Sequence, residues 1–444
     1  MRRINIILAF CFFQSNCLLS QDSILVNDIS GYFKEIKIAT NQYKELWNID
    51  LYGPILIINP FNRQVFSNYP DTGGVLKQYG SIYTGIMPKE VMIANTAVDW
   101  NGKRWAMVLL PYISKNNNER LNLFCHELFH LSQPILGFDL KSLFSKLPEE
   151  FNKKNLDNNH LDRKDGRLYL RLELNALLQA IKSKDAIEKQ THLENALKFR
   201  EYRYMLFPDA RLSENLQELN EGLASFTGIT MSYMDELETK NYLEQSLAEF
   251  EQSPTFTNTF AYITTPLYGY LLSQKDKYWN KNININTILT DYFAAAFEIS
   301  IPDDLAVAVS NISNQYNGAK INSEEIAREI VISEKIASYK TKFIELPHLI
   351  ILKEAKGFSF DTRYVTPLEN YGTVYQILQL SDIWGKLSVT NGALIGTDRT
   401  TVIVSQPTRT SDKKVSGDGW TIELNEGYII EKNNTNDNYI LKKK

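Results

Sequence analysis

The five residues His126-Glu127-Leu128-Phe129-His130 decide how the rest of this chain is read. On a helix, positions i and i+4 share a face, so the two imidazoles can reach one zinc ion. Glu127 sits one residue further round, beside the ion's open position, where a carboxylate can take a proton from zinc-bound water. The flanking residues predict a helix from Asn118 to Gln133, with asparagines able to cap its start and Pro134 and Gly137 marking its end. Leu121, Phe124, Cys125, Leu128, Phe129 and Leu131 make it apolar on most sides, which suits a buried central helix.

Upstream, an amphipathic helix is expected around Ile29 to Trp47, followed by strand-like Pro54 to Ile58 and Gln64 to Asn68. A hairpin is expected from Val91 to Trp100, through Asn101-Gly102, and back along Lys103 to Leu110, because Asn-Gly suits the left-handed φ values of a type I′ turn. A mixed sheet therefore precedes the motif. Downstream, helical patterns run over 166–182, 184–206, 213–228, 236–250 and 258–274, and continue to about residue 345. Beyond His348 short strands alternate with Gly, Asn, Asp and Pro, including Thr400 to Ser405 and Trp420 to Leu424. The expected class is α+β, divided at 21–117 (the α/β part of a catalytic unit), 118–345 (its helical part) and 346–444 (a small β domain).

The 444 residues are 43% hydrophobic and 12% aromatic, which is globular composition. Residues 1–20 read as a secretory signal: Arg2 and Arg3, an apolar run from Ile4 to Phe13, then Leu18-Leu19-Ser20 before the cut. That run of about ten residues falls short of the roughly 20 that cross a bilayer. An exported chain, periplasmic or secreted, is therefore expected, with no transmembrane segment after cleavage; lipid attachment at Cys17 is the lesser alternative. Losing two arginines and no acid takes the net charge from −4 to −6, which argues against a nucleic-acid partner. Cys125 is the one cysteine left in the body of the protein, so no internal disulfide can form.

Zinc needs a third protein ligand. His160, His192 and His348 show no metal-ligand spacing and are expected to pack or lie at the surface, which points to a carboxylate. In helical Glu218-Leu219-Asn220-Glu221-Gly222-Leu223-Ala224 the sequence resembles the gluzincin zinc peptidases, whose third ligand is a Glu on a later helix, commonly within Asn-Glu-Gly or Asn-Glu-Ala. The resemblance implies a zincin-like catalytic domain with Glu221 as third ligand. The same pentapeptide recurs as Glu423-Leu424-Asn425-Glu426-Gly427, but between strand-like neighbours, where a hairpin turn is expected. Glu221 follows His130 by 91 residues, further than in the aminopeptidase N and thermolysin families, so two extra helices must fill the interval. Within them, Glu173 reads as an acceptor for a ligand histidine, as an alternative ligand, or as an ion-pair partner of Arg167 or Arg171. Asn95–Ala97, Arg104–Ala106, Arg171–Ala176, Phe207-Pro208 and Glu218–Gly228, with the histidine motif, also resemble an uncharacterised family of exported bacterial proteins regarded as peptidases.

That resemblance implies a zinc-dependent peptidase acting on peptide or protein substrates, with Glu127 as general base. In the aminopeptidase N family a downstream Tyr stabilises the oxyanion. Tyr262-Ile263-Thr264-Thr265-Pro266-Leu267-Tyr268-Gly269 is similar, with Thr265 in place of the usual Gly, so Tyr262 is favoured and Tyr268 comes next. Val91 to Asn95 stands where those aminopeptidases carry an amine-holding Glu, and lacks it. A strand there can still pair with an extended peptide. The alternative function is a catalytically silent, zincin-like binding protein of the cell envelope.

Overall fold

The computed structural model describes residues 18–139, 158–354, 358–360, 364–411, 413–433 and 436–444. Arg2, Arg3, the Ile4–Phe13 run and Cys17, on which the export reading rests, lie outside the described residues. Among the described residues no helix is long and apolar enough to cross a membrane.

The fold is mixed α+β. Helix α1 (Leu18–Gln42) and a short 3-10 turn, Lys44–Leu46, come first. The helix starts earlier than the expected Ile29, and Ile29, Phe33 and Ile36 supply the buried stripe. Six strands follow: β1 (Ile55–Ile58), β2 (Gln64–Ser67), β3 (Lys77–Tyr79), β4 (Ile82–Ile86), β5 (Thr96–Trp100) and β6 (Lys103–Leu109). Their order is β3-β4-β2-β1-β6-β5, with β1 and β6 parallel and the other neighbours antiparallel. Asn101 (φ 49°) and Gly102 (φ 78°) turn β5 into β6 with two left-handed residues, as a type I′ turn demands. β5 is shorter than the expected Val91–Trp100. The Arg63 guanidinium takes the carbonyls of Met87, Pro88 and Val91, and the Asn95 side chain accepts the Leu109 N–H, so side chains replace the backbone ladder there.

Helix α2 (Asn117–Ser132), capped by the Asn116 side chain, lies against one face of this sheet. Ile55, Ile57, Ala106 and Val108 join Leu121, Phe124 and Leu128 in one core, while Leu56, Ile58, Trp105 and Met107 point into a second core on the other face. A helical hairpin follows, α3 (Lys164–Lys182) and α4 (Ala186–Leu206). The expected 213–228 helix is three pieces: α5 (Ala210–Gln217), a π-turn at Glu218–Gly222, and α6 (Leu223–Thr230). Then come α7 (Glu236–Glu251), α8 (Ala261–Ser273), α9 (Leu289–Ala296), α10 (Leu305–Ile312) and α11 (Gly318–Lys340).

From His348 onward the chain forms a seven-stranded and a six-stranded sheet, and this is a β domain. Leu349, Ile351, Val402 and Val404 of one sheet meet Leu380, Leu387, Trp420 and Ile422 of the other in a core of its own. The second Asn-Glu-Gly corrects an expectation: it closes no hairpin. Trp420–Leu424 belongs to the six-stranded sheet and Tyr428–Lys432 to the seven-stranded one, so Asn425-Glu426-Gly427 carries the chain between sheets. Asn425 holds that crossing by donating to the carbonyls of Trp384 and Ile383.

Candidate metal centre

His126 and His130 stand one turn apart on α2, with Nε2 atoms 3.0 Å apart. The π-turn brings Glu221 Oε2 to 3.4 Å from His126 Nε2 and 3.2 Å from His130 Nε2. Tetrahedral zinc with bonds of about 2.0–2.1 Å sets its ligand atoms roughly 3.3 Å apart, so this triangle has the dimensions such an ion requires. Two imidazole nitrogens and one carboxylate oxygen also match zinc chemically.

Burial holds His126 below its ordinary value, leaving the ring neutral. Burial acts the same way on His130, but the hydrogen bond and charge of Glu221 outweigh it and raise that ring to about 9. Burial would raise Glu221 too, yet its hydrogen bonds to the two histidines and the charge on His130 carry the carboxyl well below the usual range. Glu127, beside them, is pushed up to about 7 by burial. Its Oε2 is buried without a hydrogen-bond partner.

A ring of side chains fixes the ligand geometry. Gln133 accepts at Oε1 from His130 Nδ1 (2.9 Å) and donates to the Asn220 carbonyl (3.1 Å), and Asn220 donates to Glu221 Oε1 (2.9 Å). Ser225 Oγ lies 3.4 Å from His126 Nδ1. The Tyr262 hydroxyl donates to Glu221 Oε2 at 2.6 Å, and its ring stacks on His126 with centroids 5.5 Å apart. Tyr268, the second choice, is buried elsewhere and donates to Glu173.

Two close approaches make this assembly possible. A Cβ on Gly228 would stand 2.5 Å from the Asn122 carbonyl oxygen, so α6 can cross α2 this tightly only with glycine there. A Cβ on Gly222 would stand 2.1 Å from Thr265 Oγ1, which is how near α8 lies to the π-turn. The π-turn itself widens the helix where Glu221 must project, a common use of such bulges.

Behind the π-turn lies a fully buried charge network. Arg200 grips Glu218 with two hydrogen bonds (2.7 and 2.9 Å) and Glu173 with a third (2.6 Å). Arg203 bridges Glu173 (2.7 Å) and Glu214 (2.6 and 2.8 Å). Glu173 is therefore neither ligand nor histidine acceptor, and its partners are Arg200 and Arg203. Arg167 and Arg171 pair instead with Glu325 from α11. The helices between the motif and Glu221 thus hold the turn that carries Glu221 from behind.

His160 pairs with Glu214 (2.7 Å), His192 lies 2.7 Å from the Tyr316 hydroxyl, and His348 lies 2.8 Å from the Leu346 carbonyl. None joins the triad. Sequence reasoning passed over Gln133, although its place three residues after His130 puts it on the same helix face. It also passed over Arg200 and Arg203, whose i, i+3 spacing in a helix with buried neighbours signals partners to be found. No protein-family model, no curated protein and no solved structure matches this chain.

Proposed function

We propose that this chain is an exported zinc-dependent peptidase with a zincin-like catalytic unit. The observation that carries the reading is the triangle of His126, His130 and Glu221 with the unpartnered carboxylate of Glu127 beside it. The three residues would hold zinc, which when bound supplies Lewis-acid chemistry, acidifying water and polarising a carbonyl.

The chain's own residues do the rest. Glu127 accepts the proton of the attacking water and returns it to the leaving amine. Tyr262, whose hydroxyl reaches Oε2 of Glu221, would donate to the oxyanion of the reacting carbonyl. β5 is the edge of its sheet, and Asn95, Thr96 and Ala97 border the cleft, so an extended peptide can add to it as a further strand. Export rests on Arg2, Arg3 and the apolar run to Phe13.

Metal analysis of the purified protein, with digestion of a peptide library, tests the reading. One zinc per chain and chelator-sensitive cleavage are expected. Glu127→Gln should keep the zinc and lose cleavage, and Glu221→Ala should lose the zinc. Full activity in Glu127→Gln sinks the mechanism; bound zinc with no cleavage by the unaltered protein favours the silent binding protein.

A further inference from the structure

Two hollows meet at the metal centre. The larger, about 460 Å³, is walled by Tyr112, Leu123, Ile229, Tyr242 and Ile263. The smaller, about 240 Å³, is lined by Asn95, Thr96, Arg104, Gln133 and Asn220. Asn95, His126, Glu127 and Tyr262 border both, so a peptide lying across them has its reacting bond over Glu127 and one flank in each hollow.

Arg104 is the one lysine or arginine lining either hollow among the described residues. Sheet parity puts it there: Arg104 stands opposite Asp99 as Ala106 stands opposite Ala97, and Ala106 is buried in the core shared with α2. Arg104 Nη1 pairs with Asp99 at 3.0 Å, but the aspartate side chain is 69% exposed, so water screens the pair. Arg104 Nε is buried and has no hydrogen-bond partner. A buried N–H is costly without an acceptor, and the Nε edge of a guanidinium matches both oxygens of a carboxylate. The smaller hollow's own carboxylates do not fill this need: Glu221 is held by the histidines and Tyr262, and Glu127 Oε2 has no partner at all. The amides of Asn95, Gln133 and Asn220 and the hydroxyls of Thr96 and Tyr262, with Ala97 as the one apolar residue, make up the remaining wall.

We propose that Arg104 binds a carboxylate of the substrate in the smaller hollow, so that preferred peptides carry a free C-terminus or an acidic side chain on that side of the cleaved bond. This rests on the peptidase reading, and its test is kept separate by measuring binding. The full chain with Glu127→Gln, loaded with zinc, is titrated calorimetrically with acetylated pentaalanine in three forms: the free acid, the C-terminal amide, and the amide with its last residue exchanged for glutamate. At least about tenfold tighter binding of a carboxylate form than of the plain amide is expected, the size of a charge-assisted hydrogen bond. Preference for the free acid alone assigns the chain terminus; preference for both carboxylate forms assigns the carboxylate wherever it is carried; preference for the glutamate form alone assigns the side chain. Arg104→Gln should erase the preference, and Asp99→Asn, which removes only the ion pair, should keep it. No preference, or one that survives Arg104→Gln, overturns the proposal. Failure of the peptidase reading shows itself differently, as absent zinc or absent cleavage in the unaltered protein.

Discussion

Gln133 ties helix α2 to the π-turn, since one amide orients His130 and grips the backbone of the π-turn at Asn220. Residues that orient metal ligands typically carry 10–100-fold of metal affinity. Gln133→Ala should therefore weaken zinc binding by about tenfold or more while leaving the circular dichroism spectrum unchanged, as competition with a chromophoric chelator would report. Tyr262→Phe keeps the ring stacked on His126 and removes only the hydroxyl. It should keep zinc and lower kcat on the order of 100-fold with KM little changed; an unchanged kcat removes Tyr262 from the reaction. At this scale legibility followed locality. His126, Glu127 and His130 were readable because i, i+4 geometry is internal to one helix. Glu173 stays open among three readings in the sequence, and its ion-pair partners prove to be Arg200 and Arg203 rather than Arg167 or Arg171, because they sit on the next helix, outside any local window.

The decisive element is the π-turn Glu218–Gly222, gripped by Arg200 from behind and pressed by α8 in front. Gly228→Ala should force α6 away from α2 and cost about 1–3 kcal/mol. Because that crossing sets the distance from Glu221 to the histidines, the variant should lose thermal stability and zinc affinity together. Glu214, in the network behind the turn, also makes stability depend on pH. Burial alone would raise Glu214, but the charge and hydrogen bonds of Arg203, with His160, outweigh it and bring the carboxyl from 4.5 down to about 2. In the unfolded chain Glu214 takes up its proton at higher pH. Its contribution, on the order of 3 kcal/mol, is therefore complete above about pH 4.5 and is lost as pH falls toward 2. Urea midpoints should fall through that window in the unaltered protein. Glu214→Gln should begin lower at pH 7, because Arg203 loses a buried partner, and should fall less steeply.

Across the whole molecule, the N-terminal α+β unit and the β domain have separate cores, joined where Tyr339 and Phe343 pack on Leu368, Val374 and Leu394. Zinc, if bound as proposed by the folded N-terminal unit alone, would stabilise that unit by mass action. Calorimetry should therefore resolve two transitions, with a chelator lowering only one; a single transition that moves as a whole would show the two cores to be one cooperative unit. The alternation of patterns along the chain was enough to place a mixed sheet, then helices, then short strands, because hydrophobic periodicity is written residue by residue. The two histidines and their carboxylate were likewise determined by sequence alone, since one helical turn contains them. Only the tertiary structure decided that Arg200 and Arg203 anchor the turn that carries Glu221, that the second Asn-Glu-Gly joins two sheets, and that Arg104 faces the cleft. Those outcomes depend on which helices cross and which strands pair across tens of residues, and the free energy that selects them comes from packing between segments, not within them.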